Sequence, residues 1–295
     1  NYIEPTFASI TTLKNVTFGD YVTEIDEHCF WGCTGLTGIE LSDNIKVIGA
    51  NSFRDCTNLS YINLNNVESI SVEAFKGCTA LTDISIPASV TNISVESFLE
   101  CTNLKTVINF SELTLTAGSE DNGHVAYYAD KVINAPNGTM VGDYVFTTAD
   151  GVNTLVGYIG YETELVLPEN FNGQNYVIGA TAFAGKAGIA SLTIPAAVTA
   201  VETDAFLGCT GLNAVYIDNL AAWCNIDFLG VVNSNPLQYA HNLYVNGELL
   251  TELVIPDGFT EIKNETFRGC NKITSLTIPE GVTTIGQYAF NTCTA

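Results

Sequence analysis

Residues 276–293, Leu276-Thr-Ile-Pro-Glu-Gly-Val-Thr-Thr-Ile-Gly-Gln-Tyr-Ala-Phe-Asn-Thr-Cys293, hold three short patterns in a row, and each pattern recurs along the chain. The last of them, Phe-x-x-Cys, occurs at Phe30/Cys33, Phe53/Cys56, Phe75/Cys78, Phe98/Cys101, Phe206/Cys209, Phe267/Cys270 and Phe290/Cys293. Successive cysteines of the first run lie 23, 22 and 23 residues apart, and the final pair is again 23 apart. A fixed period in this range marks a solenoid: one coil buries too little to stand alone, so coils stack and bury each other. An eighth copy, around Phe183, carries Lys186 in the Cys position.

The first pattern, Leu-x-x-Ile-x-Ile-Pro, recurs as Leu36/Ile39/Leu41, Leu59/Ile62/Leu64, Leu81/Ile84/Ile86, Ile189/Leu192/Ile194, Leu212/Val215/Ile217, Leu250/Leu253/Ile255 and Ile273/Leu276/Ile278. Its last two apolar residues are two apart, so both face one side of a strand and the residue between them faces the other. Pro87, Pro168, Pro195, Pro256 and Pro279 follow, where proline ends a strand without breaking its ladder. The middle pattern, Val-Thr-x-Ile-Gly, suits a short second strand on the opposite side of the coil. The stretch around Phe-x-x-Cys is expected to form a tight turn or one helical turn. Phe53, Phe75, Phe206 and Phe290 are then expected to form an aromatic column.

This triple pattern resembles the BspA-like family of leucine-rich repeats, whose consensus residues 276–293 match almost letter for letter. The resemblance covers roughly residues 13–108 and 161–295. It implies a β-rich leucine-rich-repeat solenoid with a parallel sheet and coils of about 23 residues. It also implies a secreted or cell-surface protein of the adhesion or binding kind.

Two stretches interrupt the period. Phe98 to Phe183 spans 85 residues and Phe206 to Phe267 spans 61. The expected organisation is therefore coils over 1–108, an insertion over 109–160, coils over 161–217, a second insertion over 218–249 and coils over 250–295, as one solenoid. The first insertion holds two β runs around Asp150-Gly151, a hairpin signal between Tyr144 and Tyr158. The second holds a candidate short helix at Asn219–Asn225 and a second hairpin signal at Leu243–Leu249. Residues 1–12 have neither an initiator Met nor a signal-peptide pattern, which points to a trimmed or excised fragment. Cys293 is followed by only two residues, where earlier repeats continue into a strand, so further repeats are expected beyond it.

Asp and Glu number 32 against 10 Lys and Arg, a net charge of −22 that repels phosphate backbones and anionic lipid heads, so nucleic acid is not an expected partner. No run of 18 apolar residues is present, so no membrane insertion is expected. Only 14% of residues are charged, which leaves Thr, Ser and Asn to supply most of the polar surface. The chain lacks a G-x-S-x-G elbow, a phosphate-binding P-loop and a G-x-G-x-x-G fingerprint. His28-Cys29-x3-Cys33 is the nearest approach to a metal motif, but Cys29 fills the slot held elsewhere by Ala74, Ala205 and Ala289. Neither a metal nor a cofactor is expected.

The leading expectation is a non-catalytic recognition scaffold whose ligand is a protein or glycan on a host or bacterial surface. The alternatives are a structural spacer for another domain and a glycan-active enzyme, since parallel β solenoids include polysaccharide-cleaving enzymes. The outward strand positions supply the candidate contacts: Thr17, Glu40, Asn63, Ser85, Thr193, Tyr216, Val254 and Thr277, with Tyr61 two places before Asn63. Tyr144 and Trp223 are the candidates from the insertions.

The repeated cysteines are expected to form a column of free thiols. Neighbouring coils sit about 4.8 Å apart with equivalent side chains pointing the same way, a poor geometry for a disulfide. Thiol titration of the unfolded, unreduced protein should find most of them reactive; three or four disulfides would exclude the column.

Overall fold

Ile25, Ile48, Ile70 and Ile93 stand in register on four two-residue strands, Glu24–Ile25, Val47–Ile48, Ser69–Ile70 and Asn92–Ile93, which pair in parallel. These are the second strands of successive coils. The first strands form their own parallel ladders, Gly38–Glu40 with Tyr61–Asn63, and Asp83–Ile86 with Thr106–Asn109. The computed structural model describes residues 7–230 and 233–294. It divides into two compact units, Asn1–Gly138 and Thr139–Ala295, each a parallel β solenoid with few helices.

The third side of each coil is a pair of turns and not a helical turn. The residue two before each Phe is left-handed although it is never glycine. His28, Asn51, Glu73, Glu96, Thr181, Asp204, Glu265 and Tyr288 all have φ between 54° and 64°. Side chains other than glycine avoid this region, so the surrounding coil must impose it. Inter-coil hydrogen bonds do so: Phe30 N–H donates to the Ser52 carbonyl, Phe53 to Ala74 and Phe75 to Ser97, at 2.7, 2.8 and 2.8 Å. Backbone groups buried at this corner are thereby paired with the next coil.

In the first unit Phe7, Phe30, Phe53, Phe75 and Phe98 stack with centroids 5.1 to 5.5 Å apart and planes within 19° of parallel. In the second, Phe183 stacks on Phe206 and Phe267 on Phe290. The expected aromatic column is thus several stacks. All nine cysteines are free. Cys33, Cys56, Cys78 and Cys101 each donate the thiol to the carbonyl of the Phe one coil earlier, at 3.0 to 3.1 Å. Cys209 and Cys293 repeat this bond in the second unit, at 3.2 and 3.1 Å.

Part of each expected insertion runs inside a solenoid. Lys131–Asn134 pairs in parallel with Thr106–Asn109, and Phe98 N–H reaches the Gly123 carbonyl at 2.8 Å, so residues 109–138 close another coil. That coil lacks Phe-x-x-Cys. Gly123 instead tolerates an approach in which an added Cβ would lie 2.2 Å from the Ser94 carbonyl oxygen. The hairpin of Tyr144–Ala149 and Val152–Tyr158 is present, turning at Asp150 and Gly151. Its second strand then pairs in parallel with Tyr176–Ile178, so the hairpin opens the second unit's own ladder.

Residues 218–249 behave similarly. The helix Leu220–Cys224 is capped by the Asn219 side chain, which accepts from Ala222 N–H at 2.9 Å. Asp227–Phe228 joins the second-strand sheet beside Val198–Val201, and Leu243–Val245 joins the first-strand sheet beside Ala214–Ile217. Side chains replace the missing corner bonds. Asn235 donates to the Glu265 carbonyl at 2.7 Å and the Trp223 indole N–H donates to the Thr266 carbonyl at 3.0 Å.

Two outcomes test this packing. Phe75→Ala should cost roughly 3–5 kcal/mol, the lost burial plus the cavity, read as a drop in denaturation midpoint; an unchanged curve would remove Phe75 from the stack. Trp223→Phe should cost about 1–3 kcal/mol, since it loses ring volume and one buried hydrogen bond. A neutral effect would show that this coil does not rely on its indole.

Candidate functional site

The first strands turn their apolar residues inward, Ile39 and Ile62 in the first unit and Leu165, Leu192, Val215 and Leu243 in the second. Parallel in-register pairing then lines up the residues between them on the outer face. In the first unit Glu40 stands opposite Asn63, and Tyr61 opposite Gly38. Ser85 continues this face, but its partner Ile108, and Ile133 beyond it, are buried, so the polar row stops there. Thr17, Glu40 and Tyr61 line one shallow groove together with Asn15, Phe18 and Ser42.

In the second unit the outer row is Val166, Thr193, Tyr216 and Tyr244. The rings of Tyr216 and Tyr244 stack at 4.8 Å with planes 23° apart. Glu164, Ser191, Thr193, Asn213 and Tyr216 border a second groove on this face. Val254 and Thr277 pair with each other on the last ladder, both exposed. Tyr244 and Val166 were not among the sequence candidates. The signal for Tyr244 is present in Leu243-Tyr244-Val245, which has the apolar alternation of the other first strands but lies outside the 23-residue period.

The insertion candidates fare differently. Trp223 is buried, and its one polar atom is bonded to Thr266, so it offers a ligand no surface; its place is in the core, as packing demands of a large ring. Tyr144 is half-buried, its ring against Tyr158 at 5.1 Å and its hydroxyl donating to the Val166 carbonyl at 2.9 Å. It ties the hairpin to the edge of the outer face.

The charged groups are structural where they are paired. Glu73 accepts from Lys76 at 2.8 Å and from Arg54, and Lys76 also reaches Glu96 at 3.2 Å. Lys186, in the thiol position, donates to the Gly160 carbonyl 26 residues earlier, the same step the thiols take, and lies over the rings of Tyr158 and Tyr161. Burial pushes the thiols of Cys56, Cys101, Cys224 and Cys270 up to about 12, which leaves them protonated and poor nucleophiles at neutral pH. Among the described residues no group of three or more His, Cys, Asp or Glu is gathered as a metal site, and no helix is long and apolar enough to cross a membrane. Near the metal-like motif, Cys33 spends its thiol on the Phe7 carbonyl, and His28 lies against Trp31 at 5.4 Å.

Among solved structures the chain is similar to a leucine rich cell surface protein from Faecalibacterium prausnitzii, at 24% identity over 96% of this chain and 77% of that one, with a TM-score of 0.32. It is similar also to a leucine-rich repeat protein from Eubacterium ventriosum, at 19% identity over 96% and 83%, TM-score 0.35. The leucine rich repeat protein of T. pallidum is 20% identical over 71% of this chain and 68% of its own, TM-score 0.29. The comparison with curated proteins finds no match. The family model of the BspA type leucine rich repeat region matches six copies, over residues 3–117, 168–227 and 239–295. With well over half of its length matched, the chain belongs to the BspA type leucine-rich-repeat family.

Proposed function

We propose that this chain is a non-catalytic recognition scaffold, secreted or held at a cell surface, that binds a protein or glycan on the outer face of its first-strand sheets. The observation that carries this reading is the row Val166, Thr193, Tyr216 and Tyr244, which sets a stacked pair of tyrosines beside a hydroxyl on a hydrogen-bonded ladder. Aromatic side chains held by a rigid scaffold lose little entropy on binding and are enriched at interaction hot spots. The Glu40, Asn63 and Ser85 row offers carboxylate, amide and hydroxyl groups in the same manner on the first unit. A surface location agrees with the family and with the F. prausnitzii relative, which is described as a cell surface protein.

The face is favoured over the loops for a physical reason. Trp223 is buried and the Tyr144 hydroxyl is already bonded, so these two aromatic groups are spent on packing, while Tyr244 of the second inserted segment joins the face itself. The test is a binding screen of the chain against matrix proteins and oligosaccharides, followed by Tyr216→Ala and Tyr244→Ala with any ligand found. Each change should weaken binding by about tenfold or more, ~1.4 kcal/mol, while the melting curve stays in place. A ligand that tolerates both changes, together with Thr193→Ala and Tyr61→Ala, would show the outer face to be inert.

A further inference from the structure

The groove on the first unit has a chemistry different from that of the second. Its exposed ring is Tyr61, which is 50% accessible. The ring lies against Gly38, where an added Cβ would sit 3.6 Å from the Tyr61 Cδ1, so no side chain on the neighbouring coil shields it. Glu40 follows Gly38 by two residues and projects from the same face. Glu40 is diagonal to Tyr61 across the ladder and lines the same groove. Burial first, and then the Glu40 charge, raise the Tyr61 hydroxyl above its ordinary value. Glu40 is exposed and has no ion pair among the described residues. Lys46 is paired with Glu68, and Arg54 and Lys76 with Glu73, so these cations of the unit are directed elsewhere. Thr17 borders the groove on the preceding coil, while its neighbours Val16 and Phe18 turn inward and pack against the core, Phe18 on the Phe30 ring.

An exposed carboxylate with no ion pair among the described residues, beside an open aromatic ring, is the complement of a long side chain whose apolar stem can lie on the ring while its cationic head meets the charge. We propose that this groove binds a lysine or arginine side chain of a basic partner protein, with Glu40 as counter-charge and Tyr61 as the ring beneath the cation. The proposal rests on the reading of the outer face as a recognition surface and names its partner on the first unit. The excess of 32 acidic over 10 basic residues supports it, because such a field steers basic proteins toward the chain and repels acidic ones. A neutral glycan would use the ring but would leave the Glu40 charge without a partner.

The test uses the whole chain and a short lysine- and arginine-rich peptide, with titration calorimetry as the readout. Three comparisons accompany it: the same peptide with its lysines acetylated and arginines replaced by citrulline, a neutral oligosaccharide, and Glu280→Gln as an acid lost from an exposed site of the second unit. Glu40→Gln and Tyr61→Leu should each weaken the basic peptide by about tenfold or more, and the neutralised peptide should not bind. Glu280→Gln should change little, and unchanged melting curves show that the exposed positions are not needed for folding. Equal losses in Glu40→Gln and Glu280→Gln would reduce the binding to overall charge and overturn the proposal, as would no binding of the basic peptide. If instead the oligosaccharide binds and Tyr61→Leu abolishes it, the recognition surface stands and the cationic partner falls.

Discussion

The carbonyl of the repeated Phe carries the constraint on which the rest of the fold depends. It accepts the N–H of the Cys three residues on, as in Cys78 to Phe75 at 3.1 Å, and the thiol of the next coil's Cys, as in Cys101 to Phe75 at 3.1 Å. One bond closes the corner and the other sets the step to the next coil. A side chain without a donor would leave one lone pair of that carbonyl unpaired in the core. Lys186 meets the same demand with its ammonium, because Gly160 presents a carbonyl at the same 26-residue step. The stacked rings and the left-handed corner residues follow from this step, since each coil must repeat the previous backbone closely enough for both bonds to form.

The outer face inherits its order from that inner column. When the corner of every coil is held, the first strands lie in register and their outward residues fall into rows whether or not those residues touch one another. This leaves the face free to vary. Ser85 is followed by buried Ile108 and Ile133, whereas Thr193 is followed by the tyrosine pair, on the same type of ladder. Carboxylates are unevenly used: Glu73 and Glu265 are tied to cations near the corners, while Glu40 faces outward with no ion pair among the described residues.

Coils that lack the Phe-x-x-Cys pattern show how much of the constraint is geometry and how little is residue identity. At residues 109–138 a glycine allows the close approach, and at 218–249 Asn235 and Trp223 hand their side-chain N–H groups to the following corner. Both solutions meet the hydrogen-bond requirement with different chemistry. A buried polar set such as Asn233, Ser234 and Asn235 is tolerated because its members are bonded, Asn233 to Asp204 at 2.9 Å and Ser234 to the Gly230 carbonyl at 3.1 Å.

The period of Phe and Cys, the apolar alternation of the first strand and the proline that follows it determined the solenoid, the inward side of each coil and the free thiols. These are local or strictly periodic properties, and a coil that packs on copies of itself needs nothing more to be legible. The Asp150-Gly151 turn and the short helix within Asn219–Asn225 were likewise readable, because each depends on a few adjacent residues. The tertiary structure decided what depends on neighbours far apart in the chain. It drew residues 109–138 and 218–249 into the ladders through side-chain and glycine contacts that have no period. It also sank Trp223 into the core and set Tyr244 against Tyr216, 28 residues away and off the 23-residue step. Which outward residues stay exposed is fixed by what packs above them, and no pattern within a single coil records that.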